Sequence, residues 1–172
     1  MLFSRLFYRK RKSDVYLRNF IFGVEDSLVS TVGLLAGVAA ADISHSAIIT
    51  TGLVLIVVEG FSMGIGSFLT EETTEEMAGK KLQTLESIKG AITMLISYCL
   101  AGLLPLAPYA FLKGSTAVNT SIALSLFGLM TLGYGTSVYY KRKSPIMRAI
   151  KMLMLGGSAI IVGIMIGKLF RV

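Results

Sequence analysis

Five apolar stretches recur along this 172-residue chain, and they leave few folds open to it. Each approaches or exceeds the roughly 20 residues that a helix needs to cross a hydrocarbon core of about 30 Å. Inside such a core every backbone N–H and C=O must be satisfied within the protein, so the stretches read as transmembrane helices. We place them at about Leu17–Ala41, His45–Leu69, Ser87–Leu112, Val118–Tyr140 and Ile146–Phe170. Composition agrees: 53% of residues are hydrophobic, 16% are charged, and the mean hydropathy is +0.71. The expectation is one all-α integral membrane domain over residues 1–172. A short acidic connection at 70–86 is its only substantial loop.

The basic residues set the orientation. Placing the N-terminus in the cytoplasm puts fourteen of the 17 Lys and Arg residues inside. They are Arg5, Arg9, Lys10, Arg11, Lys12 and Arg18, then Lys80, Lys81 and Lys89, then Lys141, Arg142, Lys143, Arg148 and Lys151. Only Lys113, Lys168 and Arg171 fall outside, and this asymmetry is the positive-inside pattern. The net charge of +7 is therefore topological, with some attraction to anionic lipid, and it argues against nucleic acid as a partner. Cys99 is the single cysteine, which excludes disulfide frameworks and cysteine metal sites. The apolar segment after the basic N-terminus is too long for a signal peptide and lacks a small-residue cleavage site.

Against this background three acids stand out: Glu25 and Asp26 in the first helix and Glu59 in the second. A charge at bilayer depth costs about 2.5–3.5 kcal/mol on insertion scales, so such residues face a bundle interior and mark an ion or substrate path. The first helix is centred near Val29 and the second near Val57. Asp26 then lies about 4–5 Å, and Glu59 about 3 Å, to the cytoplasmic side of the midplane at 1.5 Å per residue. Two antiparallel helices thus present carboxylates at nearly one depth. That suits a divalent cation, and it suits a proton carrier, because a desolvated carboxylate can trade its proton for a cation.

Helical spacing extends the pattern. Asp26, Ser30, Gly33 and Gly37 share one face of the first helix, and Glu59, Met63, Ser67 and Glu71 one stripe of the second. Oxygen ligands joined by a thioether suit Fe2+ or Mn2+ better than Mg2+ or Ca2+, although Met63 is also explained by ordinary helix packing. Glu25 lies about 100° around the helix from Asp26, so it either pairs with a cationic or hydroxyl group or serves as a second acid. Glu71, Glu72, Glu75 and Glu76 read equally as a solvated helical extension or as a funnel that concentrates cations at the mouth. His45, the only histidine, reads as a helix-start residue. Gly33–Gly37, Gly60–Gly64 and Gly163–Gly167 are GxxxG pairs for close helix approach, within or between subunits. Pro105 and Pro108 predict a bend in the third helix.

The run from Arg18 to Gly37, containing Gly-Val-Glu-Asp-Ser, resembles the first helix of the vacuolar iron transporter family, where G-x-x-D-G-x-x-[ST] is usual. The run from Glu59 to Thr70, with Ser62-Met63, resembles that family's second helix. Leu103–Tyr109 resembles its third, and Leu155–Gly167 its fifth. Nearly the whole chain is covered, in order. The resemblance implies a homodimer of five-helix subunits that moves Fe2+ or Mn2+ out of the cytosol in exchange for protons, with the family's acid on Asp26 and its methionine on Met63. Two residues depart from the pattern: Ser27 replaces the usual Gly, and Ser67 replaces a common Glu, whose part Glu59 would take. The long acidic metal-binding domain of iron-storing members is also missing between the second and third helices.

The leading expectation is a proton-coupled divalent-metal transporter. Its metal residues are Asp26, Glu59 and Met63, with Glu25, Ser67, Glu71 and Glu75 in second rank. Fe2+ or Mn2+ is its substrate, and it has no permanently bound cofactor. A prokaryotic inner membrane fits better than a vacuolar one. A proton-coupled exporter of small organic cations is the alternative, but it calls for aromatic residues at Glu59, where the sequence offers only Phe61 nearby and no Trp. A non-transporting scaffold subunit is the third reading. No nucleophile–base set points to an enzyme.

Overall fold

The computed structural model describes residues 2–79, 84–141 and 144–171, with the backbone alone for 2–14. Among them are five helices: α1 (Leu2–Ala40), α2 (His45–Met77), α3 (Thr84–Phe111), α4 (Gly114–Tyr139) and α5 (Pro145–Leu169). Each contains a window long and apolar enough to span a membrane, so the all-α membrane class predicted from the sequence is the one observed. Of the residues behind the expected orientation, Lys80, Lys81, Arg142 and Lys143 lie outside the described residues, as do the side chains of Arg5, Arg9, Lys10, Arg11 and Lys12.

Two helices run past their expected ends. α1 begins at Leu2, before the apolar stretch opens. α2 continues to Met77, so Glu71, Glu72, Glu75 and Glu76 sit on helix, not in a loop. Glutamate is a good helix former and nothing before Gly79 breaks the helix. At Gly79 the chain turns with φ +61°. There the Gly79 N–H bonds the Glu76 carbonyl at 2.9 Å and the Ala78 N–H that of Thr74 at 3.2 Å, closing the end.

α1 is the central helix. In its spanning window 56% of residues are buried, against 22 to 39% in the other four. It packs chiefly on α3 and α5, while α2 lies against α3 and α4 against α5. Glycines set how closely these axes approach. Gly33 and Gly37 of α1 meet Gly163 and Gly167 of α5 backbone to backbone, and a Cβ on Gly37 would stand 2.7 Å from the Gly163 carbonyl oxygen. These two GxxxG pairs therefore serve packing within the subunit. Gly60 and Gly64 turn instead to α3, where a Cβ on Gly60 would meet the Cys99 sulfur at 2.9 Å.

α3 continues through Pro105 and Pro108. Ser121 of α4 donates to the Pro105 carbonyl at 2.6 Å, tying α4 to α3 at that level. Leu35, Ile56 and Leu106 form a buried apolar layer that ends at Tyr109.

Candidate ion-binding site

α1, α2 and α3 meet midway through the bundle around one side chain that sequence reasoning passed over, Tyr98. It is 0% exposed. Its hydroxyl shares a 2.7 Å hydrogen bond with that of Ser30 on α1, and the Glu59 carboxylate of α2 approaches the same phenol. Asp26 lies within electrostatic reach of both Glu59 and Tyr98. The two acids expected at one depth therefore lie within electrostatic reach of each other, beside Tyr98. Its signal in the sequence was a polar triplet, Ser97-Tyr98-Cys99, in an otherwise apolar run; a buried Tyr hydroxyl demands a partner.

The backbone beneath is held with care. Ser27, where the resembled family has Gly, is buried and donates to the Tyr98 carbonyl at 2.7 Å. Its hydroxyl lies where Gly102 leaves room, since a Cβ on Gly102 would come within 2.8 Å of it. Cys99 donates its S–H to the Ile56 carbonyl at 3.7 Å. Tyr98 and Cys99 thus tie α3 to α1 and α2 beside the paired acids.

The Glu59–Met63–Ser67–Glu71 stripe lies along α1. Asn19, 3% exposed, donates its amide to Ser67 at 2.9 Å. Arg18 pairs with Glu71 at 3.1 Å, an exposed bridge worth at most about 1 kcal/mol. Met63, half-buried, occupies the turn between Glu59 and Ser67. Glu71 is therefore a bridging residue in this state rather than a free cation-gathering acid. Glu75 is 8% exposed, Glu72 half-buried, and of the four only Glu76 is exposed. Glu25 is half-buried and close enough to Asp26 for their charges to repel. The face expected to carry Asp26, Ser30, Gly33 and Gly37 divides: Ser30 turns to Tyr98 while both glycines pack on α5.

Among the described residues, no three His, Cys, Asp or Glu side chains come together as a ligand set. The chain offers a pair of carboxylates with the Ser30 and Tyr98 hydroxyls beside them and Met63 one turn along α2 from Glu59.

This is an all-α integral membrane protein with two carboxylates, Asp26 and Glu59, close together among its spanning helices. The chain belongs to the VIT family, which it matches over residues 17–87 and 73–168. It is similar to the vacuolar iron transporter of Centaurea cyanus, 23% identical with 83% of each chain covered. It is similar also to vacuolar iron transporter 1 of Tulipa gesneriana (22%; 83% of this chain, 82% of the relative) and to vacuolar iron transporter homolog 3 of Arabidopsis thaliana (27%; 87% and 79%). The Centaurea alignment spans 204 positions, more than this chain's 172 residues, so that relative carries a segment this chain lacks. The family match divides at residues 73–87, where α2 passes to α3. Relatives named for the vacuole lend no support to a prokaryotic inner membrane.

Proposed function

We propose that the protein carries a divalent transition metal, Fe2+ or Mn2+, out of the cytosol in exchange for protons. The relatives' names point to iron, and the observation that carries the reading is the approach of Asp26 and Glu59 beside Tyr98 at mid-membrane. Two like charges placed together away from water are unfavourable unless a cation or protons compensate them. A divalent ion neutralises both, and protons replace it when it leaves. Met63 is the soft ligand that favours Fe2+ or Mn2+ over Mg2+, and Ser67 and Glu71 mark the way to the cytoplasm. The Arg18–Glu71 and Asn19–Ser67 contacts close that way, and the Leu35–Ile56–Leu106 layer closes the opposite one. The N-terminus is cytoplasmic, and a second copy completes the ligand set in a homodimer.

Proteoliposomes containing a metal-quenched dye test this reading. Fe2+ or Mn2+ entry is expected to accelerate when the lumen is acidic and to carry protons outward. Flux equal to that of empty liposomes would remove the transport reading, and flux indifferent to the pH gradient would remove proton coupling.

Tyr98→Phe offers a finer test. The ring still fills its place, but Ser30 and Glu59 lose the shared hydroxyl. A hydrogen bond to a charged group is worth about 1.5–3 kcal/mol, so flux at low metal concentration should fall about tenfold or more. Unchanged initial rates would take Tyr98 out of the site. The organic-cation alternative gains nothing from Phe61, which is 60% exposed on the outer surface of the bundle while Glu59 turns inward.

A further inference from the structure

The turn from α4 to α5 gathers positive charge and no acid. Five of the eleven residues from Lys141 to Lys151 are basic, and no Asp or Glu follows Glu86 in the chain. Lys141, Arg148 and Lys151 are the described members of this group. No ion pair among the described residues includes any of the three.

Arg148 is the organised member. Gly133 of α4 packs against the backbone of Arg148 and Ala149. From that level the half-buried Arg148 side chain donates its Nε–H to the Thr136 hydroxyl at 3.2 Å. Thr136 is itself buried, and its hydroxyl donates to the Leu132 carbonyl at 2.8 Å. One of the five guanidinium N–H groups is thereby fixed, and a planar fork held in this way matches the oxygens of a phosphate. Lys141, exposed, lies five residues beyond Thr136, about 7.5 Å along α4 at 1.5 Å per residue. Lys151, also exposed, is three residues deeper on α5 than Arg148, so its ammonium must snorkel back toward the headgroups.

The surroundings are aromatic and apolar. Tyr139 and Tyr140, both exposed, meet edge to face at 5.4 Å where α4 ends, and tyrosines of this kind mark headgroup level. Met147, Ile150 and Met154 form an exposed i, i+3, i+7 stripe on α5. An occupant that satisfies both parts carries a phosphate above and hydrocarbon below. A soluble anion would leave the stripe uncovered, and a second copy seated here about a twofold axis would set positive charge against positive.

We propose that the α4–α5 face binds an anionic phospholipid, its phosphate on Arg148 with Lys141 and Lys151 beside it. That the leaflet is the cytoplasmic one rests on the orientation proposed above. Binding itself does not.

Electron spin resonance tests this on the purified full chain in phosphatidylcholine vesicles without metal, with spin-labelled phosphatidylglycerol or phosphatidylcholine as probe. The protein-bound fraction of the phosphatidylglycerol label is expected to exceed that of the phosphatidylcholine label by about threefold. Arg148→Gln combined with Lys151→Gln should remove most of this preference. Lys113→Gln combined with Lys168→Gln, an equal loss of charge at the opposite end, should keep it. Thr136→Val retains every charge and should still weaken the preference, because only the hold on Arg148 is lost. The proposal is overturned if wild-type protein shows no preference, as it would with a second copy on this face. It is overturned if the Arg148/Lys151 variant or Thr136→Val behaves as wild type does, or if the opposite-end variant loses as much, which would leave net charge alone. Displacement of the labelled lipid by inorganic phosphate at constant ionic strength would assign the site to a soluble anion and overturn it too. Because metal is absent throughout, failure of metal transport in liposomes would leave this result standing, and the reverse also holds.

Discussion

Converting Asp26 to Asn or Glu59 to Gln is expected to reduce proton-coupled metal flux by about tenfold or more, with no loss of stability. The two carboxylates stand within electrostatic reach of each other beside a fully buried phenol. As structural elements they are a liability: each charge at bilayer depth costs about 2.5–3.5 kcal/mol on insertion scales, and their mutual repulsion adds to it. An amide keeps the shape and the hydrogen-bonding capacity while removing the charge. If the acids serve folding, the amide variants should melt earlier. If they serve the ion, the variants should melt at the same temperature or later and fail to carry metal. Initial rates in proteoliposomes and a melting curve on the same preparations separate these outcomes. Normal flux in both variants would remove the pair from the transport path.

Placing a side chain on Gly163 is expected to have the largest effect on stability of any single change considered. Its Cα faces the Gly33 carbonyl so closely that a Cβ would overlap the oxygen, and Gly167 stands in the same relation to Gly37. The obstacle is backbone, which cannot move aside as a flexible side chain does. Overpacking costs about 1–3 kcal/mol in ordinary cores and more where main chain must shift, so Gly163→Leu should separate α1 from α5 and prevent recovery of folded protein. Gly157, on the same helix, has open space where its Cβ would be. Gly157→Leu should remain within about 0.5 kcal/mol of wild type. Equal yields and melting temperatures for the two variants would show that the α1–α5 contact does not hold the bundle together.

Much of the site was legible in the residues, for a physical reason. An acid in an apolar helix is conspicuous because it is costly, and 1.5 Å per residue converts sequence position into depth. Asp26 and Glu59 could therefore be placed at one level before any contact was known. Tyr98 was not legible in that way. Tyrosine is common in membrane helices as an interfacial anchor, and only the packing of α3 on α1 and α2 shows it buried against Ser30 and Glu59. For Glu71 the sequence leaves a solvated extension and a cation funnel equally open, because helical spacing specifies the face of one helix and is silent about what the next helix presents there. Arg18 stands opposite it on α1.

The boundaries divide along similar lines. Hydropathy locates the apolar windows, and it has no reason to extend α2 through four glutamates to Met77 or α1 back to Leu2. Helix propensity does extend α2 that far, since no glycine or proline interrupts between Leu69 and Gly79. By itself, then, the sequence determined the class, the number of spans and the positions of the close-packing glycines, because each follows from the one-dimensional period of a helix and the thickness of a membrane. Tertiary structure alone decided which glycine stripe meets which, bringing Gly33 and Gly37 to Gly163 and Gly167. It also decided that Tyr98 stands beside the carboxylate pair and that Arg18 occupies Glu71. Those are choices of partner, made by three-dimensional fit between surfaces that lie up to 130 residues apart in the chain.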